Sequence, residues 1–346
     1  MSERSGMNSS FVHLKFKGRT TSPWYVGKRQ FGDFYYTRTD FLWGRGVRGP
    51  VLRHLWRTHC PKSSAEEAAR FNPNECKACR YAEECPFNQL RGSNDGEFKD
   101  RPRLIVTNLK FLEVKKTGRL ALVSRSEETL SVVRGKSPVF IEYIPEGTRF
   151  EFEAILMGKG AEFEEAFVNA VKTLLRFFGW GGFCNEGFGR GEVEVERSNY
   201  EAFVKEIEKK DAENIKKYLD KDGKVTFKVE PVLILDKERG GFFKSPLEAG
   251  FKEKFIHCLN ERFWQFFQEN IYVPVTEISG VSKHISIRNW SRKERKEGKF
   301  EGVGGEISLH LKEYKEEHLL ALSVAKYGIG RFKNMGFGSL IFTHKA

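Results

Sequence analysis

The chain has 346 residues, with 59 Lys and Arg against 47 Asp and Glu, a formal charge of +12 and a pI near 9.3. Its length exceeds one ordinary domain and fits two of about 150 residues each. Apolar residues, 39% of the total and including 31 Phe, run through the whole chain and exclude general disorder. The longest apolar runs fall well short of the ~20 residues that span a bilayer, and the opening MSERSGMNSS lacks the apolar core of a signal peptide. These features lead to the expectation of a cytoplasmic protein with no membrane association and a polyanionic partner.

The first predicted elements are a strand over 10–19 and a helix over 48–58. Residues 11–57 around them carry ten Lys and Arg against two acids, interleaved with Trp24, Tyr25, Tyr35, Tyr36 and Trp43. A single basic run reads equally well as a solvated surface. Aromatic residues among the cations add stacking platforms for unpaired bases.

Four cysteines follow. Cys76 and Cys79 form a C-x2-C knuckle, and Cys60 and Cys85 flank it, giving an S4 set of the structural zinc type. The polar segment between Cys60 and Cys76 lacks a core of its own, so one structural zinc per chain would pin an insertion over about 60–90. His59 could replace one ligand. Disulfides are the alternative, disfavoured in a reducing compartment. No cluster of carboxylates suited to a pair of catalytic ions is present, so no catalytic metal is expected.

Further along, Phe150, Phe152, Ala154 and Leu156 alternate with polar residues and predict a strand over 148–157. Phe163, Phe167, Val171, Leu174 and Phe178 share a helical face. A glycine-rich segment, Gly179 to Gly189, leads to an alternating strand over 191–196. The evenly charged stretch 200–222 reads as a solvated connecting helix. A strand over 224–236 and a helix over 247–269 come next. The second basic run, 282–299, carries seven Lys and Arg against two Glu and includes Trp290. A strand over 306–311, a helix over 315–327, a second glycine segment from Gly328 to Gly338 and a strand over 339–342 complete the chain.

Aligned at an offset of 149 residues, GWGGFCNEGFG and GIGRFKNMGFG are identical at seven of eleven positions. The flanking strand, helix and strand repeat as well, which points to duplicated architecture. Each half carries two strand–helix units, the split βαβ order of a ferredoxin-like, RRM-type fold. The expected class is α+β with two tandem ferredoxin-like domains. The first spans 1–199 with the cysteine insertion, 200–222 connects, and the second spans 223–346. The glycines permit a tight helix-to-strand turn. Beside Arg190 in one copy and Arg331 and Lys333 in the other, they also permit close approach of the phosphates of an anionic chain.

The stretches GRGVRGPVLRHLWRTHC (44–60) with ECKACRYAEECPF (75–87), RNWSRKERKEGKFEGVGGEI (288–307) and YGIGRFKNMGFGSLIF (327–342) resemble the RAMP superfamily of CRISPR-associated proteins, and within it the pre-crRNA-processing endoribonucleases. The resemblance implies an RNA partner, a CRISPR repeat or crRNA, with other CRISPR-associated proteins as further partners. It implies a metal-independent cut in which a base removes the 2′-OH proton, that oxygen attacks phosphorus, and an acid protonates the leaving oxygen. Such transfers suit a histidine. His54, on the first helix, and His284 beside Lys283 are the catalytic candidates. Arg45, Arg48, Arg53, Arg190, Arg288, Arg292, Lys293 and Arg295 are the expected RNA contacts. Gly328, Gly330, Arg331, Lys333, Asn334, Gly336 and Gly338 join them from the second glycine loop. A non-catalytic RNA-binding subunit of a CRISPR effector complex would use the same surface.

Overall fold

A computed structural model describes residues 10–60, 76, 79–91, 102–123, 138–291 and 296–343. The protein is mixed α+β and is built on three sheets, most of whose strand pairs are antiparallel. In the first sheet β1 (Phe11–Thr20) is central, flanked by β10 (Gly191–Ser198) and β9 (Arg149–Met157). Two short strands, β5 (Leu104–Val106) and β6 (Leu109–Leu112), lie beyond β9, and β4 (Phe41–Leu42) closes the edge. Helices α1 (Gly44–His59) and α3 (Glu164–Thr173, continuing through a π-helical turn, Leu174–Phe178) cover one face.

Period-two alternation explains the layering. Val12, Leu14 and Phe16 of β1, with Phe150, Phe152 and Ala154 of β9, pack against Val47, Val51 and Leu55 of α1 and Phe167 and Val171 of α3. Phe11 of β1 and Ile155 and Met157 of β9 point the other way and join the core of the second half. The two halves therefore share apolar contacts across the first sheet.

A helical connector runs from α4 (Tyr200–Glu206) through a π-helical stretch (Ile207–Ala212) to α5 (Glu213–Tyr218), ending a turn short of the expected 222. The second sheet orders β12 (Val275–Ser279), β14 (Lys296–Leu311), β11 (Lys224–Leu233) and β15 (Ser339–Phe342), with β13 (Ser282–Ser291) folding back on β14. Helices α6 (Phe251–Phe267) and α7 (Glu316–Val324) supply its core. In both halves the spatial order is last strand, first, third, second.

The third sheet is absent from the sequence reading. It orders β2 (Gly27–Phe31), β3 (Phe34–Thr37), β8 (Val139–Tyr143) and β7 (Gly118–Leu122), with β3 and β8 parallel. A short helix, α2 (Pro86–Arg91), packs on α1. Among the described residues no helix is long and apolar enough to cross a membrane.

Candidate nucleic-acid interface

The two glycine segments fold alike. Phe183 and Phe332, equivalent in the alignment, both adopt left-handed backbone, with φ of 57° and 59°. A 3₁₀ turn follows each, and a glycine with positive φ ends it, Gly187 at 84° and Gly336 at 82°. Trp180 N–H donates to the Gly189 carbonyl as Ile329 N–H does to that of Gly338. Gly189 donates to the carbonyl of Pro23, three residues past β1, and Gly338 to that of Val232, near the end of β11. A side chain at Gly328 would meet the Phe337 carbonyl, and one at Gly338 the Ile329 carbonyl. The close approach that these glycines permit is to the chain's own backbone.

The second loop is held from both halves. The Arg262 guanidinium, fully buried on α6, donates to the Gly328 carbonyl at 2.6 Å and to Asn334 Oδ1 at 3.1 Å. Asn108, in the β5–β6 turn, donates to the Gly336 carbonyl at 2.9 Å and accepts the Gly44 N–H at 2.9 Å. It thereby caps α1, whose own N-cap, Trp43, offers no side-chain acceptor. Trp43 packs edge-on against Phe337, ring centroids 5.2 Å apart. Arg45 lies 4.1 Å from the centre of the Trp43 ring, and burial there lowers its pKa from the ordinary guanidinium value.

This junction opens into a cleft of about 520 Å³. Arg38, Trp43 and Arg45 line it from the first half. Lys228, Glu230 and Lys283, with the apolar Ile285 and Ile287, line it from the second. Burial works against the charge of Glu230, but Lys110 and Lys228 outweigh it and hold its pKa below the usual carboxylate value. An expected RNA contact, Arg45, and a catalytic candidate, Lys283, thus line one cleft from the two halves. Arg38, Lys228 and the pairing of Trp43 with Phe337 are additions to the sequence reading. Arg38 was hidden as one of ten cations in a long run.

Other expected contacts are differently engaged. Arg48 donates to the carbonyls of Leu90 and Arg91 at 3.3 and 2.9 Å, closing the end of α2, and burial beside Arg91 lowers its pKa to about 10. Arg331 pairs with Asp236 at 2.8 Å and lies over Phe242, Phe300 and Phe332. Lys333 is 9% exposed and paired with Glu261. Arg53 and Arg190 are exposed. Arg288 lies on β13 opposite Lys299, but its side chain is outside the described residues, as are Arg292, Lys293 and Arg295 altogether.

The histidine candidates are apart from one another. His54 sits half-buried on α1 with its ring 6.0 Å from Phe178, and it does not line the cleft. Burial first, then His59 and Arg57, lower its pKa from the ordinary imidazole value and favour the neutral form. His284 alternates with Lys283 along β13 and faces Glu301 at 3.5 Å.

A different histidine is fully buried between the halves. His13 Nε2–H donates to Glu153 Oε2 at 2.8 Å, and its Nδ1 lies 3.1 Å from Ser198 Oγ. Tyr327 donates to the same carboxylate at 2.9 Å. Burial opposes the charge on Glu153, yet His13, Lys326 and Tyr327 together hold its pKa at about 2. Nothing in the local sequence pattern marks these three, which are remote in the chain.

Cys60, Cys76, Cys79 and Cys85 share a cavity of about 140 Å³ with Trp56, His59 and Tyr81. Cys60 follows the end of α1, the Cys79 N–H donates to the Cys76 carbonyl, and the Cys85 carbonyl accepts the Gln89 N–H at the start of α2. As the side chains stand, among the described residues no three ligands close on one point.

The sequence profile of the RAMP superfamily matches residues 17–194. No curated protein sequence matches the chain. Solved structures similar to it include a type III-B Cmr-beta complex bound to cognate target RNA and a Cas6 product complex. The Cmr-beta likeness has 12% identity and a TM-score of 0.36, covering 55% of this chain and 62% of that one. The Cas6 likeness has 12% identity and a TM-score of 0.43, covering 97% of this chain and 100% of that one.

Proposed function

Since the chain belongs to the RAMP superfamily, we propose that it is a CRISPR-associated RNA-binding protein with two ferredoxin-like halves, an endoribonuclease that cuts repeat RNA without a catalytic metal. The cleft carries this reading. Arg38, Arg45, Lys228 and Lys283 line it with Trp43 where the halves meet, outnumbering Asp40 and Glu230, so phosphates find cations and an unpaired base finds a ring. In the cut, the 2′-oxygen attacks the adjacent phosphorus as its proton passes to a base, and the 5′-oxygen leaves with a proton from an acid. The product is a 2′,3′-cyclic phosphate. The neutral imidazole of His54 suits the base, and a lysine such as Lys283 suits the charge that develops on phosphorus.

The experiment is a denaturing gel of end-labelled repeat RNA in EDTA. Cleavage should persist in chelator and stop when the nucleotide at the cut lacks its 2′-OH. His54→Ala should slow it at least ~100-fold with little change in binding. Full activity in His54→Ala moves the role to His284.

A second reading, a non-catalytic RNA-binding subunit of an effector complex, draws on a specific observation. His54 faces Phe178 and His284 faces Glu301, so neither lines the cleft. Tight binding of several repeats with no cutting decides for it.

Four thiols are the donor set of a structural zinc, and their common cavity lies where α1, the knuckle and α2 converge. Cys60, Cys76, Cys79 and Cys85 would hold the ion by closing inward, and its role would be to fasten α2 to α1.

A further inference from the structure

The third sheet turns one face to the body of the protein and one to solvent. Tyr35 faces inward, its ring 6.2 Å from Tyr25 and 5.6 Å from Phe183 of the first glycine loop, and Ile141 is fully buried. Residues directly opposite in register share a face. Arg29 pairs with Tyr36, Phe31 with Phe34, and Phe34 with Phe140 across the parallel pair. These five side chains occupy the outer face together.

Arg29, Phe31 and Phe34 are exposed, and Tyr36 and Phe140 are half-buried. Phe34 and Phe140 stack with centroids 4.7 Å apart and planes 12° from parallel. The Arg29 guanidinium lies 4.7 Å from the centre of the Tyr36 ring. Phe31 is 77% exposed and Phe34 46%. Grouped exposed rings mark an interaction surface. In the sheet and its adjoining described loops, Lys28, Arg29, Lys115, Lys116 and Arg119 stand against Asp33, Glu113 and Glu142, and Arg119 lies opposite Glu142 in register. Glu142 is itself occupied, accepting from the Thr37 N–H at 3.1 Å and the Thr117 hydroxyl at 2.9 Å. Open aromatic faces on a sheet with an excess of cations match a chain of bases on a phosphate backbone better than a protein segment, which would bring no repeating negative charge.

The face also leads to the cleft. Along β3 and just beyond it, Phe34, Tyr36 and Arg38 alternate onto one side, and Arg38 lines the cleft. At ~3.3 Å per residue, Phe34 and Arg38 stand about 13 Å apart. We infer that this sheet is a second RNA-contact surface, which takes a single-stranded flank of the RNA held in the cleft and stacks its bases on Phe31, Phe34 and Phe140. The inference rests on the RNA reading of the cleft.

The test uses the full chain and a fluorescein-labelled RNA hairpin, with and without a single-stranded oligouridine tail of about eight nucleotides at each end. Fluorescence anisotropy should show that the tails strengthen wild-type binding. Phe31→Ala with Phe34→Ala should remove that gain, a loss of about tenfold or more for the tailed RNA, and leave the bare hairpin unchanged. Phe31→Ala alone, at a position too exposed to disturb the fold, should show part of the same selective loss. Wild-type protein that binds both RNAs equally overturns this inference alone, and protein that binds neither overturns the cleft reading with it. Variants that keep the full tail effect overturn the inference, and the face then belongs to a protein partner.

Discussion

At the scale of single residues, the surest consequences concern charge. Glu153 has a folded pKa of about 2 against an ordinary 4.5. Its ionised form therefore adds stability that is complete above pH 4.5 and is lost as the pH falls toward 2. That difference corresponds to about 3 kcal/mol at most, since part of the carboxylate meets solvent. Glu153→Gln should flatten the acid limb of a plot of urea-unfolding free energy against pH between 4.5 and 2, and leave its neutral limb parallel to wild type. An acid limb as steep as wild type would mean that other carboxylates carry it. In the cleft, Arg45→Ala with Lys283→Ala should weaken RNA binding and make log Kd less steep against log salt by about 1.4, because two fewer phosphates exchange their counterions. An unchanged slope would assign both cations to solvent. Arg48 teaches the converse. Sequence gives it the same standing as Arg45, three residues away, yet its partners are carbonyls 42 and 43 positions on, and no local pattern carries that information.

At the scale of elements, legibility follows periodicity. The strands flanking β1 and the apolar stripe of α3 were readable because one face is buried and the other wet. The glycine loops were readable as a pair because their repeat spells out one backbone path, down to left-handed Phe183 and Phe332. The third sheet was not. Every residue of β2 is exposed, so it shows no alternation, and β3 finds β8 a hundred residues away through a parallel pair. The partners of the second loop were equally hidden. Its Asn334 serves Arg262 from within the fold, whatever else it touches. Arg262→Met should therefore cost about 2–4 kcal/mol in urea unfolding, since it leaves the Gly328 carbonyl and Asn334 without their donor. A loss below ~1 kcal/mol would show that the loop is held by its backbone hydrogen bonds alone.

At the scale of the whole molecule, the cysteine insertion and the joined halves set the behaviour. Purified protein should contain about one zinc per chain by elemental analysis, and Cys76→Ser with Cys79→Ser should lose it. Because α2 would then be held to α1 by Arg48 and packing without the proposed ion, limited proteolysis should first cut within 60–90, while the remainder keeps its unfolding midpoint. Metal-free protein, prepared without chelator, would refute the zinc. The halves themselves are less separable than a duplicated sequence implies, for Phe11, Ile155 and Met157 of the first sheet lie in the core of the second half. Asn108 makes the tie specific, since its one amide group caps α1 and grips the second glycine loop. Spreading the halves would strand a buried donor and a buried acceptor at once. The cleft is thus a fixed-gauge caliper rather than a hinged clamp. On the proposed reading its width is set before the RNA arrives, and a strand is chosen by whether it fits that gauge. Association should then proceed as the docking of a rigid body, with its rate governed by encounter and not by a closing motion.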